Sequence, residues 1–446
     1  MKFISNSNYL AKYLDLSLKK NIDIKNISID TRTLKKGSLF IAIKGDNFNG
    51  NDYIDEALKK GASLVITDNI KFKNSQDKHL IYVANSIAAL KKISKNILKT
   101  YPGNVIGITG SNGKTTTTKI LSNALKKSSS THKNFNNEIG MPLSIMLANI
   151  NSKNLIIEMG AAKPKDIQYL SSILRPNVGV ITNIGNSHLK KLKNIKGVLK
   201  VKSELINNIK KSGCLVVPND NKKHLKFWQQ IRNDITIITF GLSSSADFYP
   251  SDIKYSINKT EFNICSKKYK IKVKINTFLA GEHNVKNILS SFAASFFLKN
   301  STELFINSLK ESLDGAIRQK QSKWINGSLL IDDTYNANPD SVKKSIDLLK
   351  SSKTRRILVL GDMLELGRYR KKMHRDIGDY ARAKKIDIFL GFGDLTKYAV
   401  EEFGKKCIFF KEESELKRFL KKNINSNDTV LLKGSRAMKM ERFIDV

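Results

Sequence analysis

Short apolar runs alternate with longer stretches of helical periodicity along the chain, and glycine or proline marks many of the joints. Residues 39–43 and 63–67 read as short buried strands. Between them, residues 55–60 followed by Gly61 read as a helix with a glycine cap. Pro102 and Gly103 then mark a boundary. Beyond it, strands are predicted at 104–108, 155–158, 178–182 and 213–217, with helical stretches between them. That alternation predicts a parallel sheet with crossover helices. Residues 247–280 alternate in the manner of antiparallel strands, and helical pieces follow to about residue 313. A third alternating stretch carries predicted strands at 328–333, 356–361, 387–391 and 429–432. The chain is therefore expected to be an α/β protein of three domains, at residues 1–100, 101–315 and 316–446. The central one is a P-loop ATPase-like parallel sheet, and the last is Rossmann-like without its own GxGxxG.

The first predicted strand of the central domain runs into G-I-T-G-S-N-G-K-T at residues 107–115, followed by Thr116, Thr117 and Thr118. A helix is predicted over 119–125. Such a loop turns backbone N–H groups toward phosphates, and the helix start adds partial positive charge. Lys114 can reach the outer phosphates, and the Thr115 hydroxyl can ligate Mg²⁺. The generic motif G-x-x-x-x-G-K-[ST] is not met, because Ile108 stands where it wants glycine.

A phosphate loop of this kind needs a carboxylate for the metal. Glu158 ends the next predicted strand, at the sheet edge where open α/β sheets bind ligands. The alternative is a surface glutamate. His188 lies just past the following strand, so it is a candidate for a second divalent ion; a solvent-facing histidine is the plainer alternative. Lys202 follows on a predicted helix, and composition alone reads it as a surface lysine. Asn284 and Asn287 open another helix, suited either to an adenine edge or to capping. The segment 331–339, with Asp333, Tyr335, Asn336 and Asn338, ends an apolar strand and reads as a ligand rim or as a turn.

Charge changes this picture little. Lysine and arginine number 78 against 40 acidic residues, a net charge of +38. The lysines are scattered in short pairs, with no basic block and no RNA-binding aromatic motif. A solvated lysine-rich surface is the reading, and no nucleic-acid partner is expected. No run of eighteen apolar residues is present, so no membrane span is expected. No secretory leader is read at the N-terminus, and the three scattered cysteines fit a reduced, cytoplasmic protein.

Taken in order, these motifs resemble those of the Mur ligases, a family of ATP-dependent amide-forming enzymes. Residues 109–115 match that family's loop, T-G-[ST]-x-G-K-[ST], where the generic motif fails. The runs at 136–142, 158–161, 332–341, 360–367 and 433–436 resemble the branch that adds D-alanyl-D-alanine to UDP-N-acetylmuramoyl tripeptide. The resemblance implies that Gly110, Ser111, Asn112, Gly113, Lys114, Thr115 and Thr116 hold ATP phosphates. It implies adenine and outer ATP contacts from Asn284, Asn287, Arg318, Asp333, Tyr335 and Asn336. Two Mg²⁺ ions would be held by Thr115, Glu158, His188 and a carbamylated Lys202, and Lys114, His188 and Lys202 would be catalytic. Thr31, Arg32 and Lys44 would belong to a UDP-sugar site in the first domain, and Asn137 and Asn338 would contact substrate. A monomer is expected. The rival expectations are a sibling ligase that adds the third amino acid and a nucleic-acid-dependent P-loop ATPase.

Overall fold

The computed structural model describes residues 2–18, 20–45, 48–256, 259–310 and 320–446. Arg318 and the expected boundary at 315–316 lie outside the described residues. Four groups of apolar runs become four sheets, because each run buries both faces or one face against helices.

In the first unit, Asn26–Ser28, Ser38–Ile41, Leu64–Thr67 and Leu80–Tyr82 pair in that order, all parallel. The two middle strands are wholly buried, as their mostly apolar sequence favours. The predicted helix runs over Ile54–Lys59, and Gly61 at φ +84° ends it.

The central sheet has six parallel strands in the order Thr236–Phe240, Cys214–Pro218, Val178–Ile181, Asn104–Thr109, Asn154–Glu158 and Ser128–Ser130. Asn104–Thr109 therefore sits between the strand ending in Glu158 and the strand leading to His188. Its Ile106 and Ile108 are fully buried with Ile156, Val180 and Val216. Truncating either Ile106 or Ile108 to alanine is expected to cost about 2–5 kcal/mol, read from the shift in denaturation midpoint. Ser128–Ser130 is an edge strand with no apolar residue, which is why periodicity did not predict it. The helix after the loop spans Lys114–Ala124, five residues earlier than expected. Four threonines in a row have weak helix propensity, but Thr116, Thr117 and Thr118 are buried, so packing overrides it.

An antiparallel sheet follows, Tyr249–Ser256, Lys259–Ser266 and Ile271–Thr277, as the alternation predicted. The last sheet orders Lys320–Lys323, Leu329–Asp333, Asp428–Lys433, Arg355–Gly361, Ile388–Phe392 and Cys407–Phe410. Only its first strand is antiparallel, and its four lysine, glutamine and serine residues gave no strand signal. All three cysteines are unpaired, and Cys214 and Cys265 are buried. Among the described residues, no helix is long and apolar enough to cross a membrane.

Candidate active site

The loop after Asn104–Thr109 needs glycine at two positions. Gly110 has φ +147°, and a Cβ there would run into Thr182 Oγ1. Gly113 caps the helix at φ +81°, and a Cβ there would run into Asn287 Oδ1. Both positions thus combine unusual backbone with close approach of a neighbour. The neighbouring loop braces this turn. Asn112 N–H donates to Asn183 Oδ1 at 3.0 Å, and Thr182 Oγ1 donates to the Asn112 carbonyl at 2.6 Å. Ser111 Oγ donates to the Gly185 carbonyl at 3.0 Å. Lys114 folds back, its Nζ donating to the Gly110 carbonyl at 2.9 Å.

Glu158 is 3% exposed, so the surface-glutamate alternative does not describe it. Thr115 Oγ1 donates to one of its carboxylate oxygens at 2.9 Å, and Asn136 Nδ2 donates to the other at 2.9 Å. A buried carboxylate beside a hydroxyl at a phosphate loop is an oxygen-rich donor pair that fits a hard cation. Among the described residues, no three His, Cys, Asp or Glu side chains converge as a metal cage. Mg²⁺ takes one or two carboxylates and fills its shell with phosphates and water.

His188 follows the next strand with φ +52°. Its Nδ1 lies 2.7 Å from Glu365 Oε2, which belongs to the third unit. That contact holds the Glu365 carboxyl below the usual carboxylate range. Lys202 lies on the helix Ile195–Ser203 and is 1% exposed, against the surface position that composition implied. Burial, then repulsion from Lys114, pushes its pKa down to about 7. Lys202 is not one of the side chains on the cavity wall described next, but Lys114, Asp166, Glu204 and Glu158 all act on its charge.

These loops open on one cavity of about 820 Å³, walled by all three units. The first unit supplies Ile87. The central unit supplies Ser111, Asn112, Gly113, Lys114, Thr116, Asn136, Asn137, Glu158, His188, Asn284 and Asn287. The third supplies Asp333, Tyr335, Asn336, Asn338, Glu365 and Lys433. Asn284 and Asn287 do not cap their helix, whose N-cap is Gly281 without a side-chain bond. Instead Asn284 Nδ2 donates to the Ala280 carbonyl and Asn287 Nδ2 to Asn284 Oδ1, at 2.8 and 3.1 Å. Asn137 Oδ1 accepts from Gly140 N–H at 2.8 Å, at the start of a buried helix.

The first-unit residues stand apart from this cavity. Arg32 is paired with Asp30 at 2.7 Å on an open surface, Lys44 is exposed, and Thr31 is buried with its carbonyl accepting from Lys60 Nζ. None of the three lines the cavity.

The segment 331–339 is both a turn and a rim. Asp332 Oδ1 accepts from Thr334 N–H and Oγ1, a turn of the expected kind. Asp333 is buried and pairs with Lys433 Nζ at 2.6 Å, with Ser345 Oγ on the same carboxylate oxygen. Lys433 Nζ also donates to the Asn336 carbonyl at 2.8 Å, which fixes the rim to a neighbouring strand. Lys433→Met should cost about 3–5 kcal/mol, because it strands a buried carboxylate. Chemical denaturation checks this, and an unshifted midpoint contradicts it. Asn338 caps the helix Pro339–Lys350 in a capping box with Ser341. Its Nδ2 also donates to Asn112 Oδ1 at 2.9 Å, so the third unit touches the phosphate loop directly. Asp340 Oδ2 accepts from Asn186 N–H at 2.7 Å, one loop further on. Asn338→Ala should cost about 1 kcal/mol from the cap alone, and a melting temperature tests it. Glu365 and Asp340 were not singled out as site residues from sequence, although they lie in the runs at 360–367 and 332–341.

A glycine-braced phosphate loop, a buried carboxylate against its threonine and a second α/β unit closing the cavity define a P-loop enzyme of the α/β class. Three family models match the chain: "Mur ligase family, catalytic domain" over residues 23–99, "Mur ligase middle domain" over 108–295, and "Mur ligase, glutamate ligase domain" over 318–436. A Bacillus subtilis UDP-N-acetylmuramoyl-tripeptide–D-alanyl-D-alanine ligase is 32% identical, covering 94% of this chain and 92% of the relative. The crystal structure of MurF from Acinetobacter baumannii superposes with TM-score 0.87 at 25% identity, covering 98% and 97% of the two chains. MurF ligase from Thermotoga maritima in complex with ADP gives 0.81 at 28% identity, covering 94% and 96%. The chain belongs to the Mur ligase family.

Proposed function

We propose that this protein joins D-alanyl-D-alanine to UDP-N-acetylmuramoyl tripeptide with ATP, through an acyl phosphate, working as a cytoplasmic monomer. The observation that carries the reading is the shared cavity, where Lys114 and Glu158 of the central unit face Asp333 and Asn336 of the third. The named relatives of nearly full length support the same substrates, and the neighbour bound to ADP supports the nucleotide. The three domains proposed are residues 1–100, 101–315 and 316–446.

In this reading the γ-phosphate of ATP lies over the loop from Gly110 to Thr116. Lys114 leaves the Gly110 carbonyl and moves its ammonium to the transferring phosphoryl group. Thr115 and Glu158, with His188 and a carbamylated Lys202, would hold two Mg²⁺ ions. When bound, Mg²⁺ neutralises the phosphate charge that otherwise repels an incoming carboxylate. The terminal carboxylate of the tripeptide attacks the γ-phosphorus, and ADP leaves. The amine of D-alanyl-D-alanine attacks the acyl carbon, and phosphate leaves while the amine loses its proton. Asn284 and Asn287 position the adenine, and Asp333, Tyr335 and Asn336 close the site from the third unit, with Arg318 assigned to the same role. Thr31, Arg32 and Lys44 serve the UDP-sugar end, and Asn137 and Asn338 the peptide end. Burial between the units keeps water from the acyl phosphate.

Lys202 suits carbamylation on chemical grounds. Carbamate formation needs a neutral amine, and a pKa pushed down to about 7 leaves a large neutral fraction at neutral pH. The product is an oxygen ligand, matched to a hard cation.

Release of ADP with two substrate pairs tests the assignment. Turnover is expected with UDP-N-acetylmuramoyl tripeptide and D-alanyl-D-alanine, and not with the dipeptide precursor and a diamino acid. The reverse pattern would reassign the chain to the sibling that adds the third residue. ATPase activity that needs DNA or RNA would reject both.

A further inference from the structure

Lys344 lies on the helix Pro339–Lys350 of the third unit, one turn beyond Asp340, and lines the cavity. Its side chain makes no hydrogen bond or ion pair to any described residue. Its helix neighbour Ser345 is fully engaged, donating to Asp333 and to the Ser341 carbonyl. Across the cleft stands the first turn of the helix Glu282–Phe297. There Lys286 pairs with Asp220 at 3.0 Å and with Glu282 at 3.8 Å, so those carboxylates are already occupied. Burial, then Lys286, lowers the Lys344 pKa, and Lys344 in turn lowers that of His283 after burial has done so. An ammonium held in a cavity without a partner is costly unless a ligand supplies an acceptor.

Position along the opposite helix selects the kind of acceptor. Asn287 is the residue that abuts the phosphate loop at Gly113. His283, which faces Lys344, is one turn closer to the helix start and so one turn farther from that loop. The space between Lys344 and Asn284 therefore belongs to the part of a nucleotide beyond its phosphates. We infer that Lys344 is a nucleotide-recognition residue that donates to the ribose oxygens or purine ring nitrogens of bound ATP, from the wall opposite Asn284. The inference rests on the nucleotide reading of the cavity given above. It places nucleoside recognition on both units, so that only the closed arrangement completes it.

The test uses full-length protein and calorimetric binding of MgADP and of magnesium tripolyphosphate. Lys344→Met should weaken MgADP about tenfold, the size of one lost charge-assisted hydrogen bond, and leave tripolyphosphate within about twofold. In turnover, KM for ATP should rise while kcat and the KM for the dipeptide stay within about twofold. Lys344→Arg should restore most of the ADP affinity. Unchanged ADP binding in Lys344→Met would overturn the inference, and so would an equal loss for tripolyphosphate, which would make Lys344 a phosphate contact. A wild-type protein that binds no MgADP would reject the nucleotide reading itself, a result distinct from either. Lys114→Ala supplies the opposite pattern, with both ligands weakened.

Discussion

Lys114→Ala should abolish ADP release, with kcat reduced by at least about a hundredfold and the fold intact. Lys114 begins the helix Lys114–Ala124, and its ammonium rests on the Gly110 carbonyl, at the centre of the phosphate loop. A single donor aimed at developing charge in a water-poor site is worth about 10²–10³ in rate. The structural cost is small, since the glycines, not the lysine, set the turn. A purified variant with wild-type circular dichroism and near-normal ADP release would remove Lys114 from the chemistry. It would also remove the phosphate loop as the place where the acyl phosphate is made.

Lys202→Ala should be nearly as severe, for a different reason. The side chain is buried, and Lys114, Asp166, Glu204 and Glu158 all act on its charge. An ammonium there is poorly solvated, so removing it should leave stability unchanged or slightly raised. Activity should nonetheless fall by about a hundredfold or more, because the carbamate proposed to complete a metal shell can no longer form. Added formate or acetate should restore part of the activity in Lys202→Ala by supplying a carboxylate in the space left behind. In wild-type protein, ¹³C-labelled bicarbonate should give a carbamate resonance that is absent from Lys202→Ala. Full activity in a well-folded Lys202→Ala variant would take the residue out of the site.

The parts of the molecule that were legible in the sequence are those fixed by local chemistry. The turn at Gly110–Gly113 needs glycine because of its own backbone and its close neighbours, and a strand end followed by such a run is visible without a structure. Glu158 was legible for a similar reason, since its position follows from an unbroken apolar strand. Polar edge strands were not legible. Ser128–Ser130 and Lys320–Lys323 pair through backbone alone and carry no hydrophobic period. Lys202 misled because lysine is usually exposed, and only the tertiary packing around the helix Ile195–Ser203 buries it. The contacts that join the third unit to the loops were beyond reach. Asn112 and Asn338 are 226 residues apart, and Asn186 and Asp340 are 154 apart. Such pairs depend on how two units dock, and nothing in the local sequence records it. The same holds for His188 and Glu365, whose side chains meet at 2.7 Å across the cleft.

The central claim is that one cavity activates a peptide carboxylate as an acyl phosphate and delivers it to D-alanyl-D-alanine. The most direct measurement supplies UDP-N-acetylmuramoyl tripeptide with both oxygens of its terminal carboxylate labelled with ¹⁸O, together with ATP, Mg²⁺ and D-alanyl-D-alanine. Mass spectrometry then follows the label. The account predicts one ADP per ligated product, one ¹⁸O retained in the new amide and one ¹⁸O transferred to the released phosphate. Phosphate free of ¹⁸O, or AMP and pyrophosphate in place of ADP and phosphate, would contradict it.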